Sequence, residues 1–335
     1  MLHVETSAAR RRSFGELESH RRELTAHCYR MLGSPFDAED AVQETLLRGW
    51  RSLDRFEERA SLRSWLYRIA TNVCLGVLAG KQRRARPMDL GGPRPHDGPI
   101  GEILPETTWI EPIPDTLTSP EDPAAVAESN EKIRLAFVAA MQHLPPRQRA
   151  ALILCEVLQW RASEVAELLE TSVPAVNSAL QRARTTLEQA NIADAGGGAP
   201  REYDHELLER YVDAFQQYDM DRLTTLIHED ATQSMPPYEL WLKGREQILG
   251  WWVGQGAACR GSRVLPTLTA NASPAFGQYK PSETGSGFDP WALQVLEIVD
   301  GQIRELTFFL ATETIFPLFG LPPRLDAQGQ PQAAR

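Results

Sequence analysis

Cysteine, long apolar runs and metal-ligand spacings are all scarce in this 335-residue sequence, and each shortage removes a class of protein. Its four cysteines, Cys28, Cys74, Cys155 and Cys259, lie far apart and form no Cys-x-x-Cys pair. That argues against a disulfide framework and for reduced, mostly buried thiols in a cytosolic protein. No apolar run approaches the roughly 18 residues of a membrane span, and the N-terminus has no apolar signal core, so neither secretion nor a membrane partner is expected. The histidines and cysteines lack close pairs, and there is neither a His-Glu-x-x-His run nor a phosphate-cradling Gly loop. No metal, no cofactor and no catalytic constellation is therefore expected.

Basic charge is also short. Against 45 Asp and Glu stand 35 Lys and Arg, a net charge of −10. That total speaks against a nucleic-acid partner, but its distribution does not. Residues 1–86 carry 16 basic and 11 acidic side chains, residues 87–128 carry 1 and 9, residues 129–200 carry 7 and 7, and residues 201–335 carry 11 and 18. Local patches set phosphate affinity, so a basic front followed by an acidic connector and an acidic tail implies several partners. The length allows two or three domains with proper cores.

The most informative stretch is 161–189, RASEVAELLETSVPAVNSALQRARTTLEQ. Val165, Ala166, Leu168 and Leu169 have helical spacing, Thr171 and Ser172 break it, and Pro174 opens a second helix, where its missing N–H does no harm. That helix repeats apolar residues at Val176, Leu180, Ala183 and Leu187 and leaves Asn177, Ser178, Gln181, Arg182 and Arg184 on exposed faces. Two short helices around a tight turn, the second polar and basic outside, describe a helix-turn-helix reader of DNA, or else an ordinary helical hairpin with a solvated face.

Upstream, Leu17, Leu24, Cys28 and Met31 share one helical face, Gly33, Ser34 and Pro35 end that helix, and Asp37 can cap the next. DAEDAVQETLLRGWRSL would bury Ala41, Val42, Thr45, Leu46, Trp50 and Leu53, turning Asp37, Glu39, Asp40, Gln43 and Glu44 outward. These acids suit a helix start on dipole grounds alone, and they also make a docking surface. A third helix over 61–86 has a core stripe at Leu62, Leu66, Ile69, Val73 and Val77. It offers Arg63, Trp65, Tyr67, Arg68 and Asn72, with Lys81, Arg83, Arg84 and Arg86 at its end; cations beside stacking surfaces suit single-stranded nucleic acid. Of Trp65 and Tyr67, at least one belongs to the core.

In this order the acidic-faced helix DAEDAVQETLLRGW, then SLRSWLYRIATN with its basic tail, LPPRQRAALILCEVLQWRASEVAELL and VPAVNSALQRARTTLEQ resemble an extracytoplasmic-function sigma factor of the sigma-70 family, over roughly residues 13–190. The resemblance implies that core RNA polymerase binds Asp37, Asp40, Gln43 and Glu44. It implies −10 promoter reading by a loop at 57–61 with Arg63, Trp65, Arg68, Asn72, Arg83 and Arg84, where trapping an extruded base offsets a stacking loss of a few kcal/mol. It further implies −35 reading by Ser178, Gln181, Arg182 and Arg184. The family commonly begins its recognition helix with a small-Thr-Val-Lys-Ser-Arg pattern. Here Asn177 and Ala179 replace two basic positions, which should weaken −35 binding by about 1–3 kcal/mol for each base that a cation there would have read.

Residues 87–128 contain nine prolines and one basic residue, Arg94, and read as an extended linker whose apolar Trp109 and Ile110 dock on some protein surface. A second, Gly-rich linker spans 191–200. Beyond it, 203–218, 220–228 and 241–254 read as helices, and 263–271, 291–299 and 302–311 as strands of a curled antiparallel sheet, with a hairpin turn at Asp300 and Gly301. This pattern resembles SnoaL-like domains over about 201–320, whose cone-shaped sheet wraps an apolar pocket. Met235, Trp241, Trp251 and Trp252 are candidate pocket residues. His228, Glu239 and Asp213 are the acid/base groups available, though none sits in a motif.

The expected architecture is two all-α domains, at 13–86 and 129–190, the second with the helix-turn-helix, joined by the Pro-rich linker and followed by an α+β SnoaL-like domain. The expected function is promoter recognition with core RNA polymerase and promoter DNA as partners. The C-terminal domain would act through a small-molecule ligand or through intramolecular regulation. A polymerase-independent helix-turn-helix regulator and a SnoaL-like enzyme fused to a DNA-binding module are the alternatives.

Overall fold

The computed structural model describes residues 14–56, 61–119, 133–189 and 205–332. The chain divides into two compact units, one made of Met1–Arg84 with Thr116–Pro200 and the other of Ala85–Asp115 with Arg201–Arg335. The loop at 57–60, the connector from 120 onward and the Gly-rich linker at 191–200 lie outside the described residues. No helix among the described residues is long and apolar enough to cross a membrane.

The first unit is helical. After a short helix at 14–18 come α1 (Arg21–Leu32), α2 (Pro35–Ser52) and α3 (Leu62–Leu78). Ser34 caps α2, its Oγ accepting the Asp37 N–H, with Pro35 in the first turn; Ser61 caps α3 in the same way. Leu24, Cys28, Met31, Val42, Leu46 and Leu66 form the centre of the core. Trp50, expected inside, is 41% exposed. The buried stripe of α2 runs through Ala38, Ala41, Val42, Thr45, Leu46 and Gly49, so position 50 falls about 100° beyond the residue that faces α3. The stripe of α3 is shifted as well: Leu66 and Val73 are buried with Tyr67, Ala70, Thr71 and Cys74, while Leu62, Ile69 and Val77 are half-buried. Tyr67 is drawn inward by Glu23, which accepts its hydroxyl at 3.1 Å, and by an edge contact with His27 at 5.2 Å. All four cysteines are free; Cys28 and Cys74 are buried, but Cys155 and Cys259 are only half-buried.

The same unit continues with α4 (Leu135–Gln142), α5 (Pro146–Leu152), a π-helical turn at Ile153–Val157, α6 (Ala162–Leu168) and α7 (Val173–Gln189). Val165 and Leu168 of α6 and Val176, Leu180 and Ala183 of α7 are buried, as their spacing predicts. Arg149 of α5 forms the seam with the first three helices. Its guanidinium donates to the Met31 carbonyl, to Gln142 Oε1 at 2.6 Å, and to the Gln142 and Leu144 carbonyls at 3.1 and 3.2 Å.

In the second unit α8 (His205–Gln217) and α9 (Met220–Leu226) precede a sheet of β1 (Ile227–Ser234), β2 (Trp241–Lys243), β3 (Arg263–Pro266), β4 (Ala275–Pro281), β5 (Phe288–Val299), β6 (Gln302–Phe309), β7 (Arg324–Leu325) and β8 (Pro331–Gln332), with α10 (Arg245–Val253) after β2 and α11 (Thr312–Leu318) after β6. The order is β2-β1-β6-β5-β4-β3, and the sheet is mixed rather than antiparallel because β1 runs parallel to β6. The hairpin at Asp300 and Gly301 is present, with Val299 opposite Gln302. Several expectations change: 227–228 open a strand, 241–243 are a strand with the helix beginning at Arg245, β3 stops at Pro266, β4 is an additional strand, β5 starts earlier at Phe288 and β6 ends at Phe309. A buried polar chain, Tyr211 to Gln294 to Gln278 to Ser262, joins α8 to the sheet with bonds of 2.9, 2.9 and 3.1 Å.

The connector is not a free tether over 85–115. Trp109, Ile110 and Ile113 are buried, and its backbone bonds are supplied within this unit. Ile113 and Asn271 exchange two hydrogen bonds, Leu104 donates to the Pro237 carbonyl at 3.0 Å, and Arg94 N–H donates to Trp241 O at 2.9 Å. Proline content removes regular structure but does not prevent docking when a neighbouring surface satisfies the backbone.

His27 supplies a test of the first unit. Thr71 gives its hydroxyl proton to the Tyr67 carbonyl at 2.7 Å, so His27 Nε2, 3.0 Å away, must be the donor to Thr71 Oγ1. Nδ1 is buried and has no hydrogen-bond partner among the described residues. Burial first, and then the Arg30 charge, push this imidazole down to about 3 from 6.5. The unfolded chain therefore binds the extra proton as pH falls below about 6.5, and folding weakens by up to about 1.4 kcal/mol per pH unit in that window. Urea unfolding of wild type and His27→Gln, compared between about pH 6.5 and 4.5, is expected to show a shallower loss of stability in the variant. Parallel losses would assign the effect to other groups.

Candidate functional site

On α2 the four acidic-face candidates divide. Asp40 and Gln43 are exposed, with Gln43 Nε2 donating to Glu39 at 3.0 Å. Glu44 is paired with Arg48 at 2.6 Å, and Asp37 is held by Arg84 at 2.9 Å and Lys81 at 3.5 Å. Sequence reading missed their apolar company. Phe36, Leu47 and Trp50 are exposed and, with Asp40 and Gln43, follow one another at spacings of four, three, four and three, so they form one continuous outward stripe.

The α3 face carries Asn72, exposed, and Arg68, whose Nη2 reaches Glu167 of α6 at 2.7 Å. Arg63 bonds Glu23 at 2.6 Å and lies 5.0 Å from the Tyr67 ring centroid. Trp65 is half-buried against Phe56, with centroids 5.0 Å apart. Beyond α3, Arg83 meets His143 at 2.6 Å. Arg84 is turned inward with its side chain only 10% exposed. The six candidates therefore do not form one open surface: Arg84 pairs with Asp37, and the remaining five lie outside that inward pair.

The turn between α6 and α7 passes through Glu170 at φ 51° and ends at Ser172, whose Oγ accepts the Ala175 N–H at 3.3 Å. Asn177, Ser178, Gln181 and Arg182 are exposed along α7. Arg184 is exposed too but bonds Glu156 at 2.5 Å.

In the second unit, α8, α10 and the sheet enclose a cavity of about 140 Å³. Met235, Trp251 and Trp252 line it; Trp241 does not, because its indole N–H donates to the Gly91 carbonyl of the connector at 2.8 Å. The three acid/base candidates lie elsewhere. Asp213 pairs with Arg222 at 2.6 Å, Glu239 with Arg94 at 3.1 Å, and His228 Nδ1 accepts the Asp230 N–H at 3.0 Å. Among the described residues no group of metal-ligating side chains could hold an ion.

Comparison with known proteins matches three regions: Sigma-70 region 2 at residues 17–84, Sigma-70 region 4 at 134–187 and a SnoaL-like domain at 208–306. The chain is 46% identical over 313 residues to the ECF RNA polymerase sigma factor SigG of Mycobacterium tuberculosis, covering 92% of this chain and 83% of that protein. The chain is an ECF RNA polymerase sigma factor. A second family member, SigJ of M. tuberculosis, is 31% identical over 220 residues, 65% of this chain and 62% of SigJ. The SigJ crystal structure shares the fold with a TM-score of 0.60 at 22% identity, over 92% of this chain and 99% of that one.

Within this sigma factor the connector meets the cavity-bearing unit closely at α10. His96 N–H donates to Gln247 Oε1 at 2.9 Å, and the imidazole lies over Gly250, where an added Cβ would stand 2.8 Å from the ring. Gly250→Val is expected to displace His96 and raise hydrogen exchange over residues 94–98 while leaving β4 to β6 protected. Unchanged exchange at 94–98 would show that the close approach does not hold the connector.

Proposed function

We propose that this sigma factor docks on core RNA polymerase through the outward stripe of α2 and carries promoter-reading surfaces on α3 and α7. The single observation that carries the docking assignment is that stripe: three large apolar side chains stay in water beside Asp40 and Gln43, on a helix whose opposite face already fills the core. An interface core of Leu and aromatic residues edged by polar groups suits a protein partner. Trp65, Arg68 and Asn72 supply a stacking ring, a cation and an amide for an opened −10 strand, with Arg63 and Arg83 at its flanks. Ser178, Gln181 and Arg182, exposed along the first ten residues of α7, suit base edges of the −35 element, and Arg184 suits a phosphate. Asp37 and Arg84 act through each other, orienting the chain after α3 against the start of α2. The protein works in the cytoplasm, where its polymerase works, and has no reaction of its own; the SnoaL-like unit regulates.

Run-off transcription with purified core polymerase tests this reading. The full-length protein is expected to start transcripts at defined sites. The double variant Asp40→Arg, Trp50→Ala is expected to lose about tenfold or more in polymerase association, since aromatic hot spots at interfaces are worth roughly 2 kcal/mol or more. Wild-type association by that variant would remove α2 from the docking surface, and the absence of any new start site with wild type would remove the function.

A further inference from the structure

The cavity has a chemical polarity that its fold does not require. Phe215, Met235, Trp252 and Phe308 make its walls apolar, and one edge carries Lys280, with Nζ 3.7 Å from the centroid of the Trp291 ring. The carboxylate directly across the sheet from Lys280 is Asp289, which Arg324 holds at 2.9 Å. Lys280 makes no ion pair among the described residues, and the described lining includes no Asp, Glu or His. The neighbouring polar groups are satisfied internally: Gln233 Oε1 accepts the Trp252 indole N–H at 2.8 Å, and the Tyr218 hydroxyl meets the Trp252 and Gly256 carbonyls at 2.5 and 3.1 Å.

We propose that this cavity binds a small, flat, apolar molecule bearing one anionic group, its ring between the aromatic walls and its anion on Lys280. The volume of about 140 Å³ is close to the roughly 150 Å³ that accepts a benzene ring. The ammonium is the one charged group in the described lining and has no competing carboxylate, so an anion gains a charge-assisted hydrogen bond that a neutral ring forfeits and a cationic ring is repelled.

The occupant also touches what seats the connector. Ile100 lines the cavity; Tyr238, another lining residue, bridges to Ile103; and Gln255, a third, donates to the Gly98 carbonyl at 2.7 Å. A ligand that prefers the seated connector shifts the chain toward that state in proportion to its differential affinity. This deepens the regulatory role given to the SnoaL-like unit, and its readouts are binding and hydrogen exchange, so they stand or fall independently of transcription.

The test titrates full-length protein with benzoate, benzamide and benzylamine, read by calorimetry and tryptophan fluorescence. Benzoate is expected to bind about tenfold tighter than benzamide, with benzylamine weakest. Lys280→Met is expected to keep benzamide binding and erase the benzoate advantage, whereas Lys280→Arg retains it. Saturating benzoate is expected to slow hydrogen exchange over residues 98–104. Equal affinities for benzoate and benzamide, a preference that survives Lys280→Met, or no saturable binding would overturn the site. Unchanged exchange at 98–104 would overturn its link to the connector.

Discussion

Arg149 is 2% exposed and aims its guanidinium at the end of α1, where helix carbonyls are left without intrahelical partners. Burying a guanidinium is costly, and desolvation here lowers its pKa to about 10. The cost is offset by dipoles rather than by a carboxylate: the negative end of α1 and the amide and carbonyl oxygens of Gln142 and Leu144. Gln142 itself is buried because it turns its amide N–H to the Arg30 carbonyl while its oxygen serves Arg149. Two helical modules, each small enough to be marginal alone, thereby share one core.

The seam also brings the second module against the α3 face proposed to meet nucleic acid. With α5 fixed on α1, Trp160 stacks edge-on to Tyr67 at 6.0 Å and Glu167 reaches Arg68. Of the proposed −10 readers, Arg63 and Arg68 are paired with carboxylates of the same unit. Magnitudes decide which contacts matter. Arg68 with Glu167 is a largely exposed pair and Arg63 with Glu23 a half-exposed one, each worth roughly 1 kcal/mol or less, which a phosphate can replace. Arg84 with Asp37 is partly buried and remains structural. Between the two modules the Arg68–Glu167 pair is thus a weak tie and the buried Arg149 guanidinium a stronger one.

Much of the helical half is legible in the sequence. Val176, Leu180 and Ala183 keep the 3.6-residue period, and Thr171 and Ser172 mark the turn, so the helix-turn-helix follows from local pattern alone. Trp50 shows the limit: a one-residue difference in stripe register exchanges core for surface, and only contact with α3 determines which of positions 49 and 50 faces inward. β1, IHEDATQS, is too polar to alternate visibly. β4, AFGQYKP, is buried on both faces around Gln278, so its period is hidden as well. Prolines and acidic charge mark the connector as irregular, yet nothing local reveals that Ile113 will find Asn271. Lys280 and Arg149 carry no signal, because each gains its meaning from residues far away in sequence.

The central claim is that Arg149 ties the two helical modules into one unit, and amide exchange of the full-length Arg149→Met variant tests it most directly. Exchange is expected to rise about tenfold or more at both sides of the seam, the last turn of α1 and the last turn of α4, consistent with removal of charged hydrogen bonds of roughly 1.5–3 kcal/mol, while β4 to β6 keep their protection. Unchanged exchange on both sides of the seam would contradict the account.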